Sequence, residues 1–151
     1  MHWMILPLKR YAEFSGRSRR MEYWMFALLN VIVMAVVFLL MGVTGSLGDV
    51  GTVDPANPLA IYGTLFTGVG LLLAVWFLAI LIPGIAVGVR RLHDRNMSGW
   101  WYLGFIVVSF IPFIGLIASI AFLVVMLLPG TPGPNRFGED PKGRGASEVF
   151  E

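Results

Sequence analysis

The chain has 151 residues, of which 57 per cent are hydrophobic and 13 per cent charged, with a formal net charge of +2 and a mean hydropathy of +0.78. Ordinary soluble domains carry about 25 per cent charge, and a domain this small cannot hide so much apolar surface within itself, so a soluble globular protein is excluded and lipid is the solvent for most of the chain. There is no cysteine, which removes disulfides and thiolate metal sites.

Residues 1–22 read as a cytoplasmic or interfacial segment. "MHWMILPLKR" is too short an apolar run for a cleavable signal and carries its basic residues after that run, so it is expected to be mature sequence. Leu8, Tyr11, Ala12 and Phe14 gather near one face of a short helix, with Lys9, Arg10 and Glu13 elsewhere, the pattern of a helix lying in the headgroup layer.

Three charge-free segments follow, at 23–48, 55–89 and 96–135. A spanning helix needs about 20 mostly apolar residues. Residues 23–43 supply the first span, and a Gly-, Asp- and Pro-rich loop at 44–58 ends it. Residues 59–89 supply a second, with Pro83-Gly84 expected to kink it. Residues 90–99 form a polar loop. The third apolar segment, 100–128, is broken by Pro112 with Gly115 close behind. It reads either as one kinked span or as a helical hairpin that enters and leaves from one side. Residues 129–151 are a tail. The expected fold is an all-α integral membrane protein, a single domain over 1–151: a small helical bundle of two long spans, a Pro-broken third segment and an N-terminal interfacial helix.

Lys and Arg in short loops set orientation. Residues 1–22 hold five, loop 44–58 none and loop 90–99 three. The N-terminus and loop 90–99 are therefore expected in the cytoplasm. The tail has three basic and four acidic residues, a weak vote; the hairpin reading, which is favoured, places it in the cytoplasm too.

Four stretches stand together: "FSGRSRRMEYW" (14–24), "RRLHD" (90–94), "SGWW" (98–101) and "PGTPGPNRFGEDP" (129–141). In this order they resemble the bacterial inner-membrane family called domain of unknown function 805. Phe14, Gly16, Arg17, Arg20, Glu22, Tyr23 and Trp24 carry the first motif. Arg91, Leu92, His93 and Asp94 carry the second, Gly99, Trp100 and Trp101 the third, and Gly130, Gly133, Asn135, Phe137 and Gly138 the fourth. Phe137 stands where Tyr is commoner, and Arg90 is an addition to the pattern. The resemblance implies a small multi-pass protein of the bacterial inner membrane, with no established reaction.

With a cytoplasmic tail, Arg17, Arg20, Glu22, Arg91, His93, Asp94, Asn135 and Arg136 form a polar cap at one membrane face. Glu22 and Asp94 are the internal partners of the arginines, and the excess of arginine is left for anionic lipid headgroups or an acidic partner protein. The plainer reading is that these residues anchor helix ends by snorkelling and by lipid attraction. His93 and Asp94 are adjacent and point about 100° apart on a helix, so they are not by themselves a catalytic dyad. His2 is the only other histidine, too few ligands for a metal site; no catalytic residue, metal or cofactor is expected. Within the spans no acid, base or histidine occurs, which disfavours ion-coupled transport. Asn30, Gly84 and Gly88 are expected to pack helices. The aromatic residues form a membrane belt and do not stack on nucleic acid. The function expected is therefore non-enzymatic binding of lipid or a partner, as a homo-oligomer or complex subunit. A small transporter or channel between protomers comes second, and an enzyme acting on lipid headgroups third.

Overall fold

A computed structural model describes residues 2–45, 54, 57, 59–65 and 68–143. Most of loop 44–58 and the end of the tail, 144–151, lie outside the described residues. The helices are α1 (His2–Lys9), α2 (Arg20–Thr44), α3 (Ala60–Leu65), α4 (Gly68–Asp94), α5 (Trp100–Ser109) and α6 (Ile114–Leu127). There is no β-strand among the described residues. Helices α2 and α4 are long and apolar enough to cross a membrane.

Several boundaries differ from the sequence reading. Helix α1 stops at Lys9, so Tyr11, Ala12 and Phe14 lie beyond it. Pro7 sits inside α1 and withdraws one of the few hydrogen bonds so short a helix can make. Helix α2 starts at Arg20 rather than 23, which puts Glu22 in its first turn, where a carboxylate favours the helix dipole. The second expected span is described as α3 and α4, with residues 66 and 67 outside the described residues. Helix α4 runs on through Asp94, so Arg90–Asp94 are helical and the connector shrinks to 95–99. Arginine is a good helix former, and the stop is set by Asn96. Its φ is +58°; its N–H donates to His93 O at 2.9 Å and that of Met97 to Leu92 O at 3.0 Å, the paired closure of a left-handed C-terminal cap.

The chain forms two compact units, residues 27–81 and residues 1–26 with 82–151. In the first, Trp76 Nε1 of α4 donates to Asn30 Oδ1 of α2 at 3.1 Å. The Asn30 amide thus ties two helices together, and Val37 and Met41 are buried.

In the second unit, the 100–128 segment is two helices broken at residues 110–113. Pro112 cannot donate in a helix, and Phe113 takes a left-handed φ of +63°. Gly115 N–H donates to Ile111 O at 2.7 Å. A Cβ on Gly115 would run into the Ser109 carbonyl, so only glycine lets the turn close this tightly. The hydroxyls of Ser109 and Ser119 donate back to Ile106 O at 2.6 Å and Gly115 O at 2.8 Å. Each turns a polar group inward onto its own helix. Phe122 of α6 meets Tyr102 and Phe105 of α5 edge-on, with centroids 5.6 and 5.3 Å apart. Gly88 of α4 faces the Tyr102 ring, which a Cβ would strike, whereas a Cβ at Gly84 would make only ordinary contact with Phe26 at 4.0 Å.

Burial runs opposite to that of a soluble domain. Leu39, Leu78, Phe110, Phe113 and Ile117 are exposed, while Arg17, Glu22, Arg90, Arg91, His93 and Asp94 are buried. Exposed apolar surface on this scale needs an apolar surrounding.

Candidate functional site

The site is built where the start of α2, the end of α4 and the tail meet. On α4, residues 91 and 94 share a side, one turn apart. Arg91 Nη1 donates to Asp94 Oδ2. The other oxygen, Oδ1, accepts from Arg17 Nε at 3.0 Å and lies 2.9 Å from its Nη2. Asp94 is thus clamped between two arginines, each with a side-chain exposure of 1 per cent or less.

Arg17 is the hub. Besides Asp94, it donates to the carbonyls of Gly133 and Thr131, both at 2.6 Å. The tail is therefore folded around one guanidinium. Asn135 Nδ2 donates to His93 O at 3.0 Å and Thr131 Oγ1 at 3.1 Å, while its Oδ1 accepts from Phe137 N–H at 2.9 Å. Asn135 and Gly138 exchange both backbone hydrogen bonds at 3.0 Å. Gly130 lies against Asp94, and a Cβ there would enter the carboxylate.

A second pair lies alongside. Arg90 Nη2 donates to Glu22 Oε1 at 2.7 Å, and Arg10 Nη1 stands 3.8 Å from Oε2. Arg90 also donates to the Glu13 carbonyl. Sequence reasoning set Arg90 aside as an extra; it is the fully buried partner of Glu22. Its signal was the buried acid across the fold, which no local pattern displays. At the rim, Arg10 binds Glu13 through two 2.7 Å bonds. This pair raises the Arg10 pKa and lowers that of Glu13.

Further donors close helix α6. The last turn of a helix leaves carbonyls without partners, and here Arg91 donates to Met126 O and Leu128 O, Arg20 Nη1 to Leu127 O at 3.0 Å, and Trp24 Nε1 to Met126 O at 3.4 Å. Cations at that end also complement the helix dipole.

His93 Nδ1 lies 3.1 Å from Gly16 O, so Nδ1 carries the proton and donates. Its ring stacks on Phe137 at 3.9 Å and 3°, and the Arg136 guanidinium lies over the Phe137 ring, 4.7 Å from its centre. Arg136 is exposed and donates to Asn96 O at 3.0 Å. A cavity of about 520 Å³ opens beside His93, lined among others by Phe14, Val89, Ser98 and Trp100, and by neither Glu22 nor Asp94. Among the described residues no His, Asp or Glu cluster could hold a metal ion.

Of the eight expected cap residues, Arg17, Arg91, Asp94 and Asn135 share one network. His93 joins it through its carbonyl, Glu22 belongs to the Arg90 pair, Arg20 caps α6 and Arg136 covers Phe137.

All of these residues fall within one stretch, 11–139, that matches the model of the family described as Protein of unknown function (DUF805). The chain belongs to this family. It is similar to the Inner membrane protein YhaH of Escherichia coli (strain K12), 39 per cent identical over 142 residues, covering 94 per cent of this chain and 98 per cent of the relative. It is 37 per cent identical to the Inner membrane protein YhaI of the same strain over 142 residues, covering 94 and 97 per cent. No solved structure matches this DUF805 chain.

Proposed function

We propose that this DUF805 protein is a multi-pass protein of the bacterial inner membrane, a single membrane domain with no reaction of its own. Its cytoplasmic cap binds anionic lipid, and through that face it serves as a homo-oligomer or as a subunit of a membrane complex. Helices α2 and α4 are the spans; α5 and α6 are a hairpin that enters and leaves from the cytoplasmic side, so both termini are cytoplasmic. The inner-membrane names of the relatives and the length and apolarity of α2 and α4 support the location. The basic residues flanking the cap support the orientation.

The observation that carries the binding reading is the charge balance of the cap. Three buried arginines, Arg17, Arg90 and Arg91, meet two paired carboxylates, Glu22 and Asp94, and Arg19, Arg20, Arg95 and Arg136 around them all donate to carbonyl oxygens. Carbonyls accept from these guanidiniums but do not neutralise their charge. A net positive face at the membrane surface attracts acidic headgroups. Extracting the protein from native membranes in mild detergent and analysing the retained phospholipid tests this. Enrichment of anionic over zwitterionic lipid is expected, and a composition equal to that of the bulk membrane would count against it.

A headgroup enzyme would need a carboxylate to work with His93. The cavity at His93 is lined by no carboxylate among the described residues, so the non-enzymatic reading is preferred.

A further inference from the structure

Beside the cap lies a cavity of about 500 Å³ lined by Trp3, Arg19, Arg20, Trp24, Leu127 and Lys142. We infer that this cavity is the seat of one phospholipid whose headgroup is a net anion, a phosphodiester with no ammonium of its own. The inference rests on the lipid-binding reading above and assigns it a place.

Three cations share the lining and no carboxylate does. Two of the cations are held in position. Arg19 donates through Nε and Nη2 to the Pro141 carbonyl, with its guanidinium 5.5 Å from the Trp3 ring centre. Arg20 donates through Nη1 alone to Leu127 O. Each guanidinium keeps further N–H groups beyond those bonds. The carbonyl contacts fix geometry while leaving the full charge in place, which is the arrangement a phosphate needs. Helix α2 begins at Arg20, and the positive end of its dipole adds to the same field.

The rest of the wall points to lipid rather than to a soluble anion. Trp3 and Trp24 are amphipathic rings of the sort that sit at headgroup level. Met21, also in the lining, and Leu127 are exposed, offering a path for acyl chains away from the cations. A zwitterionic headgroup would bring an ammonium among three like charges with no carboxylate in the lining itself, a repulsive placement. The site therefore discriminates by what it lacks as well as by what it holds.

The test uses the full-length protein in detergent, titrated with phosphatidylglycerol and separately with phosphatidylethanolamine, with bound lipid counted by native mass spectrometry. Retention of one phosphatidylglycerol in preference to phosphatidylethanolamine is expected. Lys142→Gln should weaken phosphatidylglycerol binding about fivefold, and the Arg20→Gln/Lys142→Gln pair about twenty-fivefold, at the usual worth of a cation near an acidic surface. Lys9→Gln, which is outside the cavity, should change nothing. Lys142 lends only its main chain to the bonds that order the tail, so its variant keeps the test open if the Arg20 change impairs folding. Millimolar inorganic phosphate should leave lipid binding intact; displacement by it would assign the cavity to a free anion and overturn the inference. If both variants keep the wild-type preference, this site is wrong and the broader reading stands. If the wild type itself shows no preference, both fall.

Discussion

Asp94 is the residue on which most of the cap depends. It receives Arg17 and Arg91 on separate oxygens, and its main-chain carbonyl accepts the Thr131 N–H at 2.8 Å. Asp94→Ala would leave two buried guanidiniums without their anion. Breaking a buried pair in this way costs about 3–5 kcal/mol. The thermal midpoint in detergent should fall accordingly, whereas Glu13→Ala, which cuts an exposed pair, should cost about 0–1 kcal/mol. Equal shifts would mean that the cap is a solvated face. Gly130→Ala should behave like Asp94→Ala, because its methyl group would occupy the space of the same carboxylate. The Arg10–Glu13 pair adds a pH effect of known sign. Its hydrogen bond to Arg10 lowers the Glu13 pKa, so its small contribution is present above the ordinary glutamate range and is lost only as pH falls below about 4. A melting series between pH 5 and 8 should show no change from this pair. The sequence displayed the types of these residues but not their pairing. Arg17 and Asp94 stand 77 positions apart, Arg90 and Glu22 68, and separations of that size leave no local pattern to read.

Elements are bounded here by backbone geometry more than by charge. The polarity of "RRLHD" suggested a loop, yet these residues complete α4, and the left-handed turn at Asn96 ends it. Asn96→Gly should be neutral or slightly stabilising, since glycine accepts that conformation without strain. Asn96→Val should cost about 1–2 kcal/mol, measured as a shift in the same thermal midpoint. The break in 100–128 was legible at Pro112 and Gly115, but its tightness was not. That depends on the contact between Gly115 and the Ser109 carbonyl, a distance no sequence carries. Gly115→Val should cost about 1–3 kcal/mol by overpacking. Gly104→Val on α5 should leave the midpoint near wild type, because open space surrounds that position.

For the molecule as a whole, the sequence already carried the membrane assignment and the family, since both reside in composition and ordered motifs. Orientation is a prediction of the Lys and Arg distribution. A cysteine at Ser46 should react with an impermeant reagent applied to spheroplasts, and one at Ser98 should not; the opposite labelling would invert the proposed topology. A fluorescent protein fused after Glu151 should fluoresce, and alkaline phosphatase fused there should be inactive. Strong phosphatase activity would place the tail outside and overturn the proposed cytoplasmic hairpin.

The closure of α6 has a temporal meaning. Arg17 is synthesised more than a hundred residues before the carbonyls of Thr131 and Gly133 that it binds, and Arg91 before those of Met126 and Leu128. Until residues 131–133 are made, the Nη1 and Nη2 donors of Arg17 lack the carbonyls they bind, although Asp94 is already there for its Nε. A product cut short after Leu128 therefore keeps every described helix yet leaves Arg17 without Thr131 and Gly133, and it should be cleared by membrane proteolysis faster than the chain that carries those residues.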